Sequence, residues 1–396
     1  MGRTEFVALI AMMLASVAFS IDAMLPALPQ IAAELSPEAP ENAPLILSLF
    51  LLGMGLGTFF TGPLSDRFGR KSVILAASGL FIAGAAFAWA SQSMEMILIA
   101  RFIQGLGAAG PRVVSLAVVR DRFAGRQMAQ IVSIVMMIFI LVPAMAPLLG
   151  TLIINTAGWR SIFVAFAVFA ATFSLWMMIR LPETLPPEAR CALRFSVLLA
   201  AVREIAAHRT VRLSIFVQVL VSGMLFLTLM LVQPIYDQIY ARGDEFPFWF
   251  FFIALIAGTA SLLNALLVVR FGMQRLIIVA LAAQVCFSGL FVLYDLSSGP
   301  YGFHFFLLWQ TCVFFQSGLT IGNLNALAME PMGHIAGTAA SVIGALSTVG
   351  AVALSGPLGT MFRGDERLLI VSVLAMACAG FAAMLVMVRG PQRGAA

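Results

Sequence analysis

Charge is the scarcest resource in this chain. Asp, Glu, Lys and Arg make up 10% of its 396 residues, where an ordinary soluble domain carries about 25%, so water is not its main solvent. Lysine occurs once, at Lys71, in a setting unlike the Gly-rich phosphate-cradling loop of an ATP-driven pump. Histidine occurs three times and never mid-span beside an acid, which excludes the paired acid and base or metal-ligand set of a membrane-embedded enzyme and implies no cofactor. The four cysteines, Cys191, Cys286, Cys312 and Cys378, form no Cys-x-x-Cys pair, and three sit in apolar runs where a thiol acts as a small hydrophobe. Neither a disulfide framework nor a metal site is implied. The net charge of +5 comes from arginines scattered between apolar runs rather than from a patch, so it reports membrane topology and not a nucleic-acid partner.

What is abundant is apolar length: 61% of the residues are hydrophobic, in runs longer than the roughly 18 to 20 residues needed to cross a bilayer. The first, from Phe6 to about Pro29, is too long for a secretory signal core and reads as a retained span. Polar interruptions divide the chain into spans near 6–30, 44–62, 72–91, 94–119, 129–154 and 160–180, then 211–236, 247–269, 275–295, 303–329, 336–360 and 368–388. This is an all-α membrane protein of twelve transmembrane helices. Four of the 23 Lys and Arg (Arg160, Arg242, Arg363, Arg367) fall on one side, two (Arg101, Arg112) fall within spans, and all others fall on the side of both termini. That bias puts both termini in the cytoplasm of a multi-pass bacterial inner-membrane protein.

The polar stretch from Leu181 to Thr210, with Pro182, Pro186, Pro187 and Arg190, Arg194, Arg203 and Arg209, reads as a linker. It separates an N-terminal bundle, residues 1–180, from a C-terminal bundle and short tail, residues 211–396. The halves echo one another. Arg67-Phe68-Gly69 corresponds to Arg270-Phe271-Gly272 at an offset of 203, and Phe102, Gln104, Gly110, Ala124 and Gly125 correspond to Phe314, Gln316, Gly322, Ala336 and Gly337 at an offset of 212. Two parallel six-span repeats account for both matches.

The loop Gly62-Pro63-Leu64-Ser65-Asp66-Arg67-Phe68-Gly69-Arg70-Lys71 carries two glycines for tight turns, an acid able to accept from a nearby Arg or helix start, and three cations for the cytoplasmic surface. At every characteristic position it resembles the loop between spans two and three of the major facilitator superfamily, a resemblance that extends over essentially the whole chain. The resemblance implies a conformational latch formed by Gly62, Asp66, Arg67, Gly69, Arg70 and Lys71, which holds one state and breaks when the cytoplasmic side opens.

Ionisable groups inside a membrane are costly, on the order of 2.5 to 3.5 kcal/mol each on insertion scales. Asp22 and Arg101 lie about eight and about seven residues from the outer ends of spans one and four, so their depths agree and they can pair. Arg101-Phe102-Ile103-Gln104-Gly105-Leu106-Gly107 resembles the fourth-span motif of proton-coupled drug antiporters, which implies proton coupling through Asp22 and Arg101. A permanent ion pair fastening span one to span four is the competing reading. Arg112 has no acid at its depth; it either faces a cavity or snorkels to the inner surface.

In the second half, Gln218, Gln233, Asn264, Trp309, Gln310, Gln316 and Asn323, with Asn325, supply amides and one indole. Together with Asp22 and Arg112 they are the candidates for a cavity that stacks and hydrogen-bonds a flat solute, the alternative being contacts between helices. Met329, Met332 and His334 read as apolar residues and a loop histidine.

Asp22-Ala23-Met24-Leu25-Pro26-Ala27-Leu28-Pro29 and Arg120-Asp121 resemble the Bcr/CflA type of drug-resistance transporter. That points to a proton-coupled secondary transporter, a monomer in the bilayer, exporting small aromatic or amphipathic solutes by alternating access. In span five, Ala146 precedes Pro147 where antiporters of the superfamily usually have Gly-Pro. Riboflavin and copper importers of the superfamily are similar in plan. Spans seven and eight lack a Met-x-x-x-Met or His-x-x-x-Met pair, which leaves import of a vitamin such as riboflavin as the alternative to efflux and puts copper behind it.

Overall fold

A computed structural model describes residues 1–190, 195–296 and 301–389; Cys191 and Arg194 lie outside them. Among these residues there is no β-strand, as apolar runs of this length require, because only an internally bonded helix satisfies backbone groups away from water. The first bundle comprises α1 (Arg3–Asp22), α2 (Leu28–Leu35), α3 (Leu45–Phe68), α4 (Arg70–Trp89), α5 (Met94–Arg122), α6 (Gly125–Ala157) and α7 (Ser161–Arg180). After α8 (Phe195–Ala207) come α9 (Arg209–Gln238), α10 (Phe246–Phe271), α11 (Met273–Leu296), α12 (Gly302–Met329), α13 (Ala336–Thr360) and α14 (Arg367–Arg389).

Among the described residues, eleven segments are long and apolar enough to span a membrane. One of them, Gly302–Thr360, runs 59 residues and folds back on itself as α12 and α13, joined by a 3-10 turn in which Met332 leaves helical geometry. The crossings therefore number twelve. After twelve crossings the start of α1 and the end of α14 lie at one end of the bundle, called here the terminal end; the opposite end is the far end. Residues on the periphery are apolar and uncovered, Val269 being 89% exposed, as lipid-facing positions must be.

The first span is not one helix. Pro26 has no N–H to donate to the carbonyl of Asp22, and Pro29 none for Leu25. The chain accordingly leaves α1 at Asp22, makes a 3-10 turn over Leu25–Ala27 and resumes as α2. The segment 181–210 likewise holds more than a polar connection. In α8, Ala201 and Ile205 are buried, Ile205 against Val211, Met332 and Val342, and Glu204 pairs with His334 at 2.7 Å.

Small residues set the helix spacing in the first bundle. A Cβ at Gly53 or Gly105 would overlap the facing backbone of α5 or α3, and one at Gly107 the backbone of α4, so these three helices pack at backbone contact. The bundles meet along two seams, α3 on α13 and α6 on α10. These are spans two on eleven and five on eight, pairs that exchange when each span is replaced by its counterpart six spans away. The pseudo-twofold relation expected from the repeats is thus carried by the packing.

Candidate functional site

Two cavities penetrate the body from opposite ends. One opens at the terminal end between the bundles, has a volume of about 590 Å³ and reaches Leu14 and Val17 of α1, Arg112 and Leu116 of α5, Gln218 of α9 and Asn325 of α12. Val17 lies fourteen residues into the chain from Arg3, so the cavity extends on the order of 20 Å inward. The other, about 550 Å³, lies at the far end among Pro29, Ala32, Glu41, Pro44, Gln233, Pro234 and Arg363. Between them is a buried layer containing Ala23, Met24, Met224, Leu227 and Met230, all without exposed surface. At its far side Ser48 Oγ of α3 donates to Met230 Sδ of α9 at 3.5 Å, and Glu41 pairs with Arg363 at 2.5 Å, both joining the bundles.

Asp22 and Arg101 both belong to this layer, exposed by 5% and 0% respectively. They do not form the ion pair that their matching depths suggested. Arg101 donates from Nη2 to the Ser20 carbonyl at 3.1 Å, from Nη1 to Gln104 Oε1 at 2.6 Å and from Nε to the Ile46 carbonyl at 3.4 Å, while its guanidinium lies 4.2 Å from the Phe50 ring centre. The break after Asp22 explains the choice: the last carbonyls of α1 lose their in-helix donors, and Arg101 supplies one. Asp22 is left without an ion-pair or hydrogen-bond partner among the described residues.

The stretch from Gly62 to Lys71, expected as a loop, continues α3 through Phe68 and breaks only at Gly69, and it is held by its own bundle together with Glu183 of the connecting segment. Gly69 adopts φ 95° and ψ 155°, a region essentially reserved for glycine. This turn ends α3 and starts α4 with free N–H groups. The carboxylate of Glu183 accepts from two of them, Arg70 N at 2.8 Å and Lys71 N at 3.1 Å, as a negative charge at a helix N-terminus should. The Arg70 side chain reaches Asp66 at 2.5 Å and Asp121 at 3.1 Å. Lys71 Nζ donates to the Met178 carbonyl, and exposed Arg67 lies over the Phe68 ring. Across the seam, Gly62 abuts Ser341 of α13, where a Cβ would collide with the hydroxyl.

The other candidates divide. Arg112 and Gln218 line the terminal cavity and Gln233 the far one. Asn264 and Asn323 hydrogen-bond each other between α10 and α12 at 2.7 and 3.4 Å, and Trp309 donates to Ser288 of α11 at 2.9 Å, so these three join helices. Gln310 accepts from Tyr236 and Gln316 donates to Thr320, each keeping one unpaired amide atom, as do Gln218 and Gln233. Met332 is buried in the apolar cluster beneath α8. Sequence reasoning missed Glu183, for which Pro182-Glu183 directly after span six was the available signal. It also missed Glu41 with Arg363, which sit on separate loops and leave no pattern to read.

Opposed cavities closed from one another by a buried layer are the arrangement a membrane transporter needs. Residues 8–355 match the sequence model of the Major Facilitator Superfamily, and the chain belongs to that superfamily. It is 30% identical over 342 residues to the bicyclomycin resistance protein homolog of Haemophilus influenzae, covering 84% of each. It is 29% identical over 330 residues to the multidrug resistance protein MdtL of Shewanella oneidensis, covering 82% of this chain and 81% of the relative. A crystal structure of a D-xylose-proton symporter superposes with a TM-score of 0.77 at 17% identity over 97% of both chains, a likeness of fold.

Proposed function

We propose that this protein is a proton-coupled exporter of small aromatic or amphipathic solutes in a bacterial inner membrane, with its terminal end in the cytoplasm. Residues 1–180 and 211–396 rock against each other across the two seams, joined by 181–210, and expose the central layer to one cavity at a time. The observation that carries this reading is Asp22, a carboxyl without a counter-charge inside the layer that separates the cavities. Bound to a proton it avoids the cost of an unpaired buried charge; wetted by either cavity it can ionise and release that proton. Arg101, anchored by backbone carbonyls, holds α1, α3 and α5 around it. Export is supported by relatives named for drug resistance; vitamin uptake has no such support among those relatives.

Purified protein in proteoliposomes is expected to move a xanthene dye against its gradient when a pH gradient is imposed. Asp22→Asn is expected to reduce that movement to the level of empty liposomes while preserving exchange of dye for dye. Gradient-driven transport unchanged by the substitution removes Asp22 from coupling, and no transport by the unmodified protein overturns the exporter reading.

A further inference from the structure

We infer that the terminal cavity is built for solutes carrying a negative charge and that Arg112 receives that charge, an inference that rests on the transport reading above. Arg112 sits ten residues before the end of α5, more than two turns inside the span, yet its side chain is exposed to the cavity. Its hydrogen-bond partner is the uncharged thioether of Met54, at 3.4 Å. The acids on the cavity wall are Asp66 and Asp121, and Arg70 engages both. Arg120, two turns further along the same face of α5 and also on the wall, has no ion pair among the described residues. The wall's three arginines thus outnumber its two aspartates, and Arg112, without an ion pair among the described residues, places positive charge at the deep end.

The opposite wall adds no counter-charge. Its residues from the second bundle are neutral, with Gln218 and Asn325 as the amides, and Gln218 keeps a buried unpaired carbonyl oxygen there. Leu14, Val17, Met136 and Phe139 provide the apolar side. A cation in a water-filled cleft with low-dielectric walls has its field focused along the cleft, attracting anions and opposing lipophilic cations. The fitting solute is amphipathic: an apolar ring system against α1 and α6, and a carboxylate, sulfonate or phosphate on Arg112.

Fluorescein and rhodamine 6G share a xanthene core and differ in the sign of their charge, so they separate shape from charge. Binding of each to the full-length protein in nanodiscs of zwitterionic lipid, followed by anisotropy, is expected to favour fluorescein by about tenfold or more, the worth of one charge-assisted hydrogen bond. Arg112→Gln is expected to abolish that preference by weakening fluorescein alone, with rhodamine 6G binding unchanged or tighter as the check on folding. Arg112→Lys is expected to retain most of the preference.

Equal affinities in the unmodified protein, or fluorescein binding untouched by Arg112→Gln, overturn the inference. If rhodamine 6G binds and fluorescein does not, charge selectivity falls while the exporter reading stands; if neither binds, both fall. Loss of fluorescein binding when phosphatidylglycerol is added to the nanodiscs assigns the cation to lipid headgroups and also overturns it.

Discussion

The two bundles contain the same turn and use it differently. Arg67-Phe68-Gly69 and Arg270-Phe271-Gly272 both end a helix on a glycine of positive φ, 95° and 78°, and in both the arginine lies over the neighbouring phenylalanine ring, at 5.1 and 5.4 Å. Around Gly69 there is a carboxylate on the next amides and an arginine between two aspartates. Around Gly272 there is open space. The backbone turn is thus an inheritance of the repeat, whereas the charge network belongs to the first bundle. Geometry is shared between the halves, and electrostatic control is not.

The contrast is sharpest at the glycines. Alanine at either position meets a backbone region that costs about 1–3 kcal/mol for a residue with a Cβ, but at Gly69 the new methyl also evicts the Glu183 carboxylate. Gly69→Ala is expected to lower thermal stability clearly more than Gly272→Ala, and equal melting temperatures would make the network irrelevant to the turn. A smaller effect is expected from Glu183→Gln, which keeps an acceptor and removes the charge. Loss of its helix-terminus interaction, about 1 kcal/mol, is expected to lower the melting temperature measurably but by less than Gly69→Ala. Smallest of all is Arg270→Gln, expected to stay within about 0.5 kcal/mol in melting experiments, as an exposed position outside any network should. A large loss there would show that the second bundle has a latch of its own.

Much of the fold was legible because apolar length, punctuation by Pro and Gly, and the arginine bias are one-dimensional signals. The twelve crossings and the repeat follow from them. The partners of buried polar groups are not one-dimensional. Arg101 binds Ser20 rather than Asp22 because Pro26 breaks α1 and frees carbonyls, a consequence that needs the three-dimensional neighbour to be seen. Asn264 and Asn323 looked alike as cavity candidates but satisfy each other between helices, since their positions on α10 and α12 happen to face. Glu183 was hidden by distance, acting on amides more than a hundred residues away.

The seam between α3 and α13 has a mechanical consequence. Gly55 faces Thr348 and Val349, Gly62 faces Ser341, and Gly359 faces Pro44, so along its length the contact is made by short side chains and bare backbone. Interlocked long side chains would act as teeth, each needing a rotamer change before one helix could roll over the other. A smooth contact of this kind suits a bearing: in the rocking motion proposed above it would keep the bundles close while opposing their rotation little, and would leave the few polar contacts at the two ends to set where that rotation stops.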